Sequence, residues 1–435
     1  MKAQELFEFN EWWETGEVPK RQYREYKRYL FPELLKFLPD RQGILLAGLR
    51  RVGKTVLLYQ MIHHLLNQGV EPKNILYFSF DERGADLRDV LETYRVEVLR
   101  GDFQKRERVF IFLDEIHKVE DWESKVKIYY DLNPNLKFFL SGSAALALSK
   151  RSKESLAGRV YEFVLKPLTF REFLEMKGVK VRFEEAELLA GKIQPLFSSF
   201  LRKAGFPELL WEEDDEKIRA YVKSAVVERI VYRDIPLEFG SVDIELLEIL
   251  RDLFLKNPGM FLNIENLARD LGRNKRTIMN YTHYLRFSLL VNLVANLRPG
   301  VLATSRKNRR VYPATPALSF ASGVEFEEVG RGGAMESLFR CEVGAKYYFR
   351  RGSREIDFLL VEGERIIPVE IKSEVSTREI SSIVKSLTGL NLNRGLMLTW
   401  DKFGSKEIGN RKILIYPLWA FLLFKDEILR EVLSE

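Results

Sequence analysis

Residues Gly48-Leu49-Arg50-Arg51-Val52-Gly53-Lys54-Thr55 carry the spacing of a loop that cradles phosphate. The two glycines let backbone N–H groups wrap the phosphates of a nucleotide. Lys54 is placed to reach the β- and γ-phosphates, and the Thr55 hydroxyl to face Mg²⁺. Val56 follows at the start of the next element and completes the nucleotide-binding set, Gly48 to Val56. Downstream, Val109 to Leu113 is apolar and ends in Asp114-Glu115. Such a strand delivers one carboxylate to a sheet edge, where Asp114 holds Mg²⁺ and Glu115 polarises the attacking water. An ordinary strand with a charged turn is the alternative, and the upstream loop makes it the weaker one. The run Phe138 to Leu140 ends in Ser141-Gly142-Ser143, so either serine is a candidate to sense the γ-phosphate. Phosphoryl transfer also draws on an arginine outside the loop. Arg159 is the first choice because it follows that strand within the same domain, and Arg233 is the second.

These residues need elements to position them. Ile44 to Ala47 reads as a short strand before the loop, and Thr55 to about Asn67 as the helix after it. Asn74 to Phe80, Val109 to Leu113, Leu136 to Leu140 and Val160 to Leu165 read as further strands. Strands alternating with helical stretches predict a parallel sheet covered by helices. From Pro167 the pattern turns mostly helical.

Two regions beyond the sheet carry charge in a pattern. Glu265 to Leu271 and Lys275 to Phe287 read as helices around the turn Gly272-Arg273-Asn274. Strand-like runs Leu290 to Leu297 and Arg310 to Pro313 follow, the outline of a winged helix-turn-helix. Arg273, Lys275 and Arg276 stand at the start of its second helix, and Arg306, Lys307, Arg309 and Arg310 form a basic wing. Clustered cations of this kind suit nucleic-acid phosphates. Internal packing or dimerisation is the competing use of such a module. Further on, Glu355 to Val361 and Arg365 to Lys372 predict a β-hairpin across Glu362-Gly363-Glu364. If its faces meet, Asp357 and Glu370 share one divalent cation with Lys372 alongside, the chemistry of metal-assisted phosphodiester hydrolysis. A solvent-facing hairpin with paired charges is the bland reading. Against it, Glu370 and Lys372 alternate with Val369 and Ile371, and charge set in an apolar strand is costly.

Composition bounds the rest. A chain of 435 residues implies two or three domains. Lys and Arg total 69 against 63 Asp and Glu, so the excess is modest and the local basic clusters matter more. Cys341 is the single cysteine, which excludes an intramolecular disulfide and fits a reducing cytoplasm. The N-terminus has no apolar segment of signal-peptide type, and no apolar run is long enough for a bilayer, so no membrane association is expected.

Over nearly its whole length the chain resembles prokaryotic ATPases of the AAA superfamily that carry a C-terminal restriction-endonuclease-like domain. The residues that carry this are the loop with Arg50-Arg51, Asp114-Glu115-Ile116, Ser141-Gly142-Ser143 and Leu156-Ala157-Gly158-Arg159. Pro167 to Phe173, Gly205-Phe206-Pro207-Glu208 and Glu370-Ile371-Lys372 complete it. The resemblance implies an α/β chain in five parts: a helical lead-in (1–40), a P-loop NTPase core (41–166), a helical lid (167–242), a winged helix-turn-helix (243–324) and an α+β nuclease-like domain (325–435). It also implies that Glu336 joins Asp357, Glu370 and Lys372 as a metal site, and that subunits assemble as a homo-oligomer, a ring among the options, with an arginine supplied across the interface. The expected function is an ATPase, with ATP and Mg²⁺ as cofactors, acting on nucleic acid, DNA by preference and branched or repair intermediates in particular. Cleavage at the C-terminal site is an open addition. The rival is an ATP-operated switch or scaffold with a protein partner and an inactive nuclease-like domain.

Overall fold

The computed structural model describes residues 2–434 except 82–83, 143–153, 298–308, 328–329, 353 and 364. It comprises two units, Met1–Leu165 and Lys166–Glu435. Among the described residues no helix is long and apolar enough to cross a membrane.

The first unit is built on five strands: β1 (Gly43–Gly48), β2 (Ile75–Ser79), β3 (Val109–Asp114), β4 (Leu136–Gly142) and β5 (Val160–Leu165). They pair in the order β2-β3-β4-β1-β5, all parallel. Burial on both faces explains why β1, β3 and β4 are continuous apolar runs. Phe112 and Phe139 stack at 4.2 Å between centroids across β3 and β4. All five expected strands are present, and helix Lys54–Asn67 follows β1 as anticipated. The parallel sense puts every strand's C-terminal end at one edge, where ligands of such sheets bind.

The lead-in covers what the sheet leaves open. Asn10 accepts from the Tyr77 N–H at 2.6 Å and donates to the Tyr77 carbonyl at 2.8 Å, standing in for a neighbouring strand beside β2. The indole N–H groups of Trp12 and Trp13 donate to the Ile75 carbonyl. These contacts occupy an edge that would otherwise offer unpaired backbone. Lys137, fully buried in β4, donates to the carbonyls of Phe37, Asp40 and Gln42, and burial lowers its pKa to about 8.

The second unit carries a nine-stranded sheet: β6 (Met260–Leu262), β7 (Val291–Asn296), β8 (Arg309–Pro313), β9 (Tyr347–Arg351), β10 (Arg354–Glu362), β11 (Arg365–Ile371), β12 (Arg394–Thr399), β13 (Gly404–Ile408) and β14 (Arg411–Pro417). Their order is β13-β14-β12-β11-β10-β9-β7-β8-β6. The hairpin β10–β11 is antiparallel, with Glu362 opposite Arg365. Helices Ile264–Asp270 and Lys275–Phe287 stand before β7, each capped by an asparagine, Asn263 and Asn274. The sheet runs on past the point where the sequence reading ends that module, because β7 pairs with β9 at Ala295–Tyr347 and Asn296–Tyr348. The buried Asn296 side chain extends this short ladder by exchanging two hydrogen bonds with the Arg350 backbone.

Gly48 closes the first strand under close contact. A Cβ there would stand 2.7 Å from the Leu165 carbonyl oxygen of β5. We expect Gly48→Ala to push β1 and β5 apart and destabilise the first unit by about 1–3 kcal/mol, the usual cost of overpacking. Chemical denaturation of the variant checks this, and an unchanged midpoint would contradict it.

Candidate functional site

The phosphate loop is preformed. Arg51 (φ 64°) and Gly53 (φ 100°) both take left-handed backbone, which lets the loop reverse before helix Lys54–Asn67 begins. Lys54 is 5% exposed, and its ammonium donates to the carbonyls of Gly48 and Leu49, each at 3.1 Å. Leu49 and Val52 are buried beneath the loop. Arg28, from the lead-in, donates to the Val52 carbonyl at 2.9 Å and braces the loop from outside.

Asp114 ends β3 beside this loop. It accepts hydrogen bonds from the Thr55 hydroxyl at 2.6 Å, the Tyr77 hydroxyl at 3.1 Å, the Glu115 N–H at 3.1 Å and the Ser141 hydroxyl. Burial, and then the charge of Glu115, raises its pKa, while Ser141, Thr55 and Lys54 oppose the rise. Thr55 and Asp114 stand together as the oxygen pair that would hold Mg²⁺, a hard cation that takes one or two protein oxygens plus phosphate. Glu115 adopts φ 54°, and its Oε2 is buried, forms no hydrogen bond and lies 3.5 Å from His117 Nδ1. Ser141, expected to face phosphate, instead spends its hydroxyl on Asp114, and Ser143 falls outside the described residues.

Arg159 requires a correction. Its carbonyl accepts from the Gly43 N–H, which places it at the N-terminal end of β5, beside the start of β1. The phosphate loop leaves the opposite end of β1, five residues and roughly 16 Å further along at ~3.3 Å per residue. Its guanidinium makes two bonds to Asp131, at 2.9 and 3.0 Å. Arg159 therefore does not reach the phosphate site of its own chain. Arg233 belongs to the second unit.

In the second unit the structure brings Glu336, Asp357, Glu370 and Lys372 together. Lys372 Nζ lies 3.0 Å from Asp357 and 2.9 Å from Glu370, and the Asp357 N–H points to Glu370 at 3.3 Å. A fifth member changes the meaning of the group. Arg310, expected on an exposed wing, is buried with its guanidinium between Asp357 at 3.3 Å, Glu336 at 3.7 Å and Glu355. Tyr312 donates to Glu336 at 2.7 Å. Among the described residues no group of three or more His, Cys, Asp and Glu is arranged to hold a metal ion. The structure sets two side-chain cations, Arg310 and Lys372, among Glu336, Asp357 and Glu370. The assignment of Arg310 to polyanion contact is corrected by the same burial. Arg306 and Lys307 lie outside the described residues, and Arg309 is half-buried on β8.

Burial followed by the Asp357 charge raises Glu336 to about 7 and Glu370 to about 8. Burial lowers the pKa of Lys372, but Asp357 and Glu370 outweigh it and hold the ammonium above its usual range. Elsewhere, Arg273 and Lys275 are exposed and pair with Asp243 and Glu265 at 2.6 and 2.7 Å. Arg276 is exposed at the first turn of the helix, as expected.

Comparison with known proteins adds to this geometry. Residues 40–174 match the family model of an AAA domain. Residues 194–322 match a domain of unknown function. An uncharacterised protein of Methanocaldococcus jannaschii is 29% identical, with 94% of this chain and 92% of that protein covered. A second from the same organism is 26% identical over 89% of this chain and 90% of its own length. One from Haemophilus influenzae is 26% identical over 86% and 93%. Among solved structures, the Aeropyrum pernix ORC1 protein in complex with DNA aligns at a TM-score of 0.31 and 16% identity, covering 74% of this chain and 95% of that one. Cdc6p from Pyrobaculum aerophilum aligns at 0.26 and 14%, covering 72% and 96%.

Two residues of the AAA domain site escaped the sequence reading. Tyr77 lies mid-strand on β2 and looks like an ordinary apolar-strand tyrosine. Arg28 lies ahead of the matched region, in a stretch dense with arginine and lysine. Only the partner across space singles either one out.

The second pocket generates a pH prediction. Glu370 ionises near 4.5 when unfolded and near 8 when folded, so the folded chain holds the extra proton between those values. Stability from this group is full at low pH and falls as pH rises through that window. Glu370→Gln cannot lose a proton there. Its stability relative to wild type should therefore improve steadily from about pH 5 to pH 8, as read by denaturant unfolding. A difference independent of pH would contradict the raised value.

Proposed function

We propose that this chain binds and hydrolyses ATP with Mg²⁺ through its AAA domain and acts on DNA in the cytoplasm. The observation that carries the ATPase reading is the cluster at the end of β3. Asp114 is fixed by Thr55 beside the buried Lys54, while the neighbouring Glu115 keeps one carboxylate oxygen out of any hydrogen bond, 3.5 Å from His117. In this reading backbone N–H groups of Gly48 to Thr55 and the Lys54 ammonium bind the phosphates. Thr55 and Asp114 would hold Mg²⁺, which would supply positive charge to the phosphate oxygens. Glu115 orients the attacking water and takes its proton. Tyr77 and Ser141 keep Asp114 in place. The arginine that stabilises the transition state comes from a neighbouring subunit, since Arg159 of the same chain sits at the wrong edge of the sheet. A homo-oligomer, with a ring as its closed form, satisfies that need.

The DNA reading rests on the helix pair Ile264–Asp270 and Lys275–Phe287 beside the antiparallel strands β6, β7 and β8. Arg273, Lys275 and Arg276 are exposed at the entry to the second helix, and exposed ion pairs as weak as those to Asp243 and Glu265 exchange readily for phosphate. The nuclease-like core serves as a grip. The two cations seated among its carboxylates favour a domain without metal-dependent cleavage.

Lys54→Ala should abolish binding of fluorescent ATP. Glu115→Gln should bind it normally and release phosphate at least about 100-fold more slowly, the scale of a lost general base. Normal turnover by Glu115→Gln would remove its assigned role. For the pocket, wild type and Asp357→Ala should both leave supercoiled DNA intact with Mg²⁺, and nicking by wild type alone would restore the cleavage reading.

A further inference from the structure

Helix Thr377–Leu390 has one face committed and one face bare. Ile380, Ile383 and Leu387 recur at helical spacing and pack with Ile356, Leu359 and Met397 of the sheet. The opposite face exposes Arg378, Ser381, Ser382 and Lys385. Its one acidic residue, Glu379, is used at the helix start, where it accepts the Ser376 N–H at 2.7 Å in a capping box.

The turn between β9 and β10 joins this face. Arg351 and Arg354 are directly opposite each other in the ladder, and both are exposed. Like charges at opposed positions repel. Nevertheless, among the described residues no carboxylate pairs with either one, whereas their neighbour Arg350 pairs with Glu355 at 3.4 Å. The Arg354 side chain lies against the helix at Gly389, where a Cβ would stand 2.6 Å from its Nη1. Glycine at that position gives the guanidinium its berth. Along the helix, Arg378 to Lys385 spans ~10 Å and Lys385 to Gly389 a further ~6 Å, at 1.5 Å per residue. Four cations with no acidic partner among the described residues thus line a strip of roughly 16 Å, flanked by small hydroxyl side chains. Each strand of duplex DNA carries one phosphate per ~3.4 Å of helix axis, so a strip of this length has several phosphates within reach of its cations.

We propose that Arg351, Arg354, Lys385 and Arg378 form a track for the phosphate backbone of duplex DNA, separate from the helix pair at 264–287. This rests on the DNA reading and names a second contact surface for it. The track contacts phosphate alone, so it adds affinity and orientation without sequence preference.

The test titrates the full-length protein into a short fluorescent duplex across a potassium chloride series. The variant combines Arg351→Gln, Arg354→Gln and Lys385→Gln. Its affinity should fall at least about tenfold, and the slope of log affinity against log salt should shrink by about 2 to 3, near 0.9 for each lost contact. If the wild type binds and the variant matches it in affinity and slope, the track is wrong and the DNA reading stands. If the wild type shows no salt-dependent binding even at low salt, the DNA reading fails and the track with it. Thermal melting reports whether the triple variant folds. Should it melt early, Lys385→Gln alone is measured, with a slope change of about 0.9 expected and none overturning the proposal.

Discussion

Asp114 is the constraint around which the first unit is organised. A carboxylate at the end of a buried strand is expensive unless donors surround it. The sheet order supplies them from every side. Thr55 comes from the helix after β1, Tyr77 from the neighbouring β2 and Ser141 from the neighbouring β4. Each donor depends on the parallel register that sets these strand ends at one level. The lead-in serves the same end by holding β2 in place through Asn10, Trp12 and Trp13. Fixing a single carboxylate thus draws on most of the unit.

The second unit solves the same problem with opposite charge. Glu336, Glu355, Asp357 and Glu370 converge where the hairpin β10–β11 meets β8 and helix Arg331–Val343, and Arg310 and Lys372 pair among them. Removing one member of such a network leaves a buried charge exposed to its like neighbours, which typically costs 3–5 kcal/mol at about this degree of burial. The network also joins β8 to β10 through side chains, although the two strands are not adjacent in the sheet. That linkage ties residues 309–313 to residues 354–371 within one compact unit. An arrangement that resembles a catalytic centre by residue type is, by its contacts, also a buried ion-pair cluster.

Much of the fold was legible because it rests on local periodicity. The five strands of the first sheet and the helix after β1 follow from apolar runs bounded by turns and glycines. The helices at 264–270 and 275–287 read from their pattern around the turn Gly272-Arg273-Asn274, and the structure caps each with an asparagine. The hairpin at 354–371 reads from its turn and alternation. The phosphate loop is contiguous, so its backbone conformation is encoded in adjacent residues. Less of the site could be read. Arg159 looked close to the serine strand in sequence, yet a parallel strand returns to the far edge before it begins. Arg310 looked like the last cation of a basic run, and only its position in the ladder turns it inward.

The sequence alone settled that a nucleotide-type loop precedes a helix, that Asp114 and Glu115 end an apolar strand, and that a hairpin carries acidic and basic residues on its strands. These are matters of spacing within a few residues, where chain geometry leaves few choices. Tertiary structure decided which residue meets which across long separations. Tyr77 reaches Asp114 from 37 positions away, and Arg310 reaches Asp357 from 47. Such pairings are set by strand order and register, which no local pattern specifies. For that reason the chain's chemistry was partly visible from its residues, while the allocation of its charges, to phosphate, to metal or to each other, emerged only when the sheets were assembled.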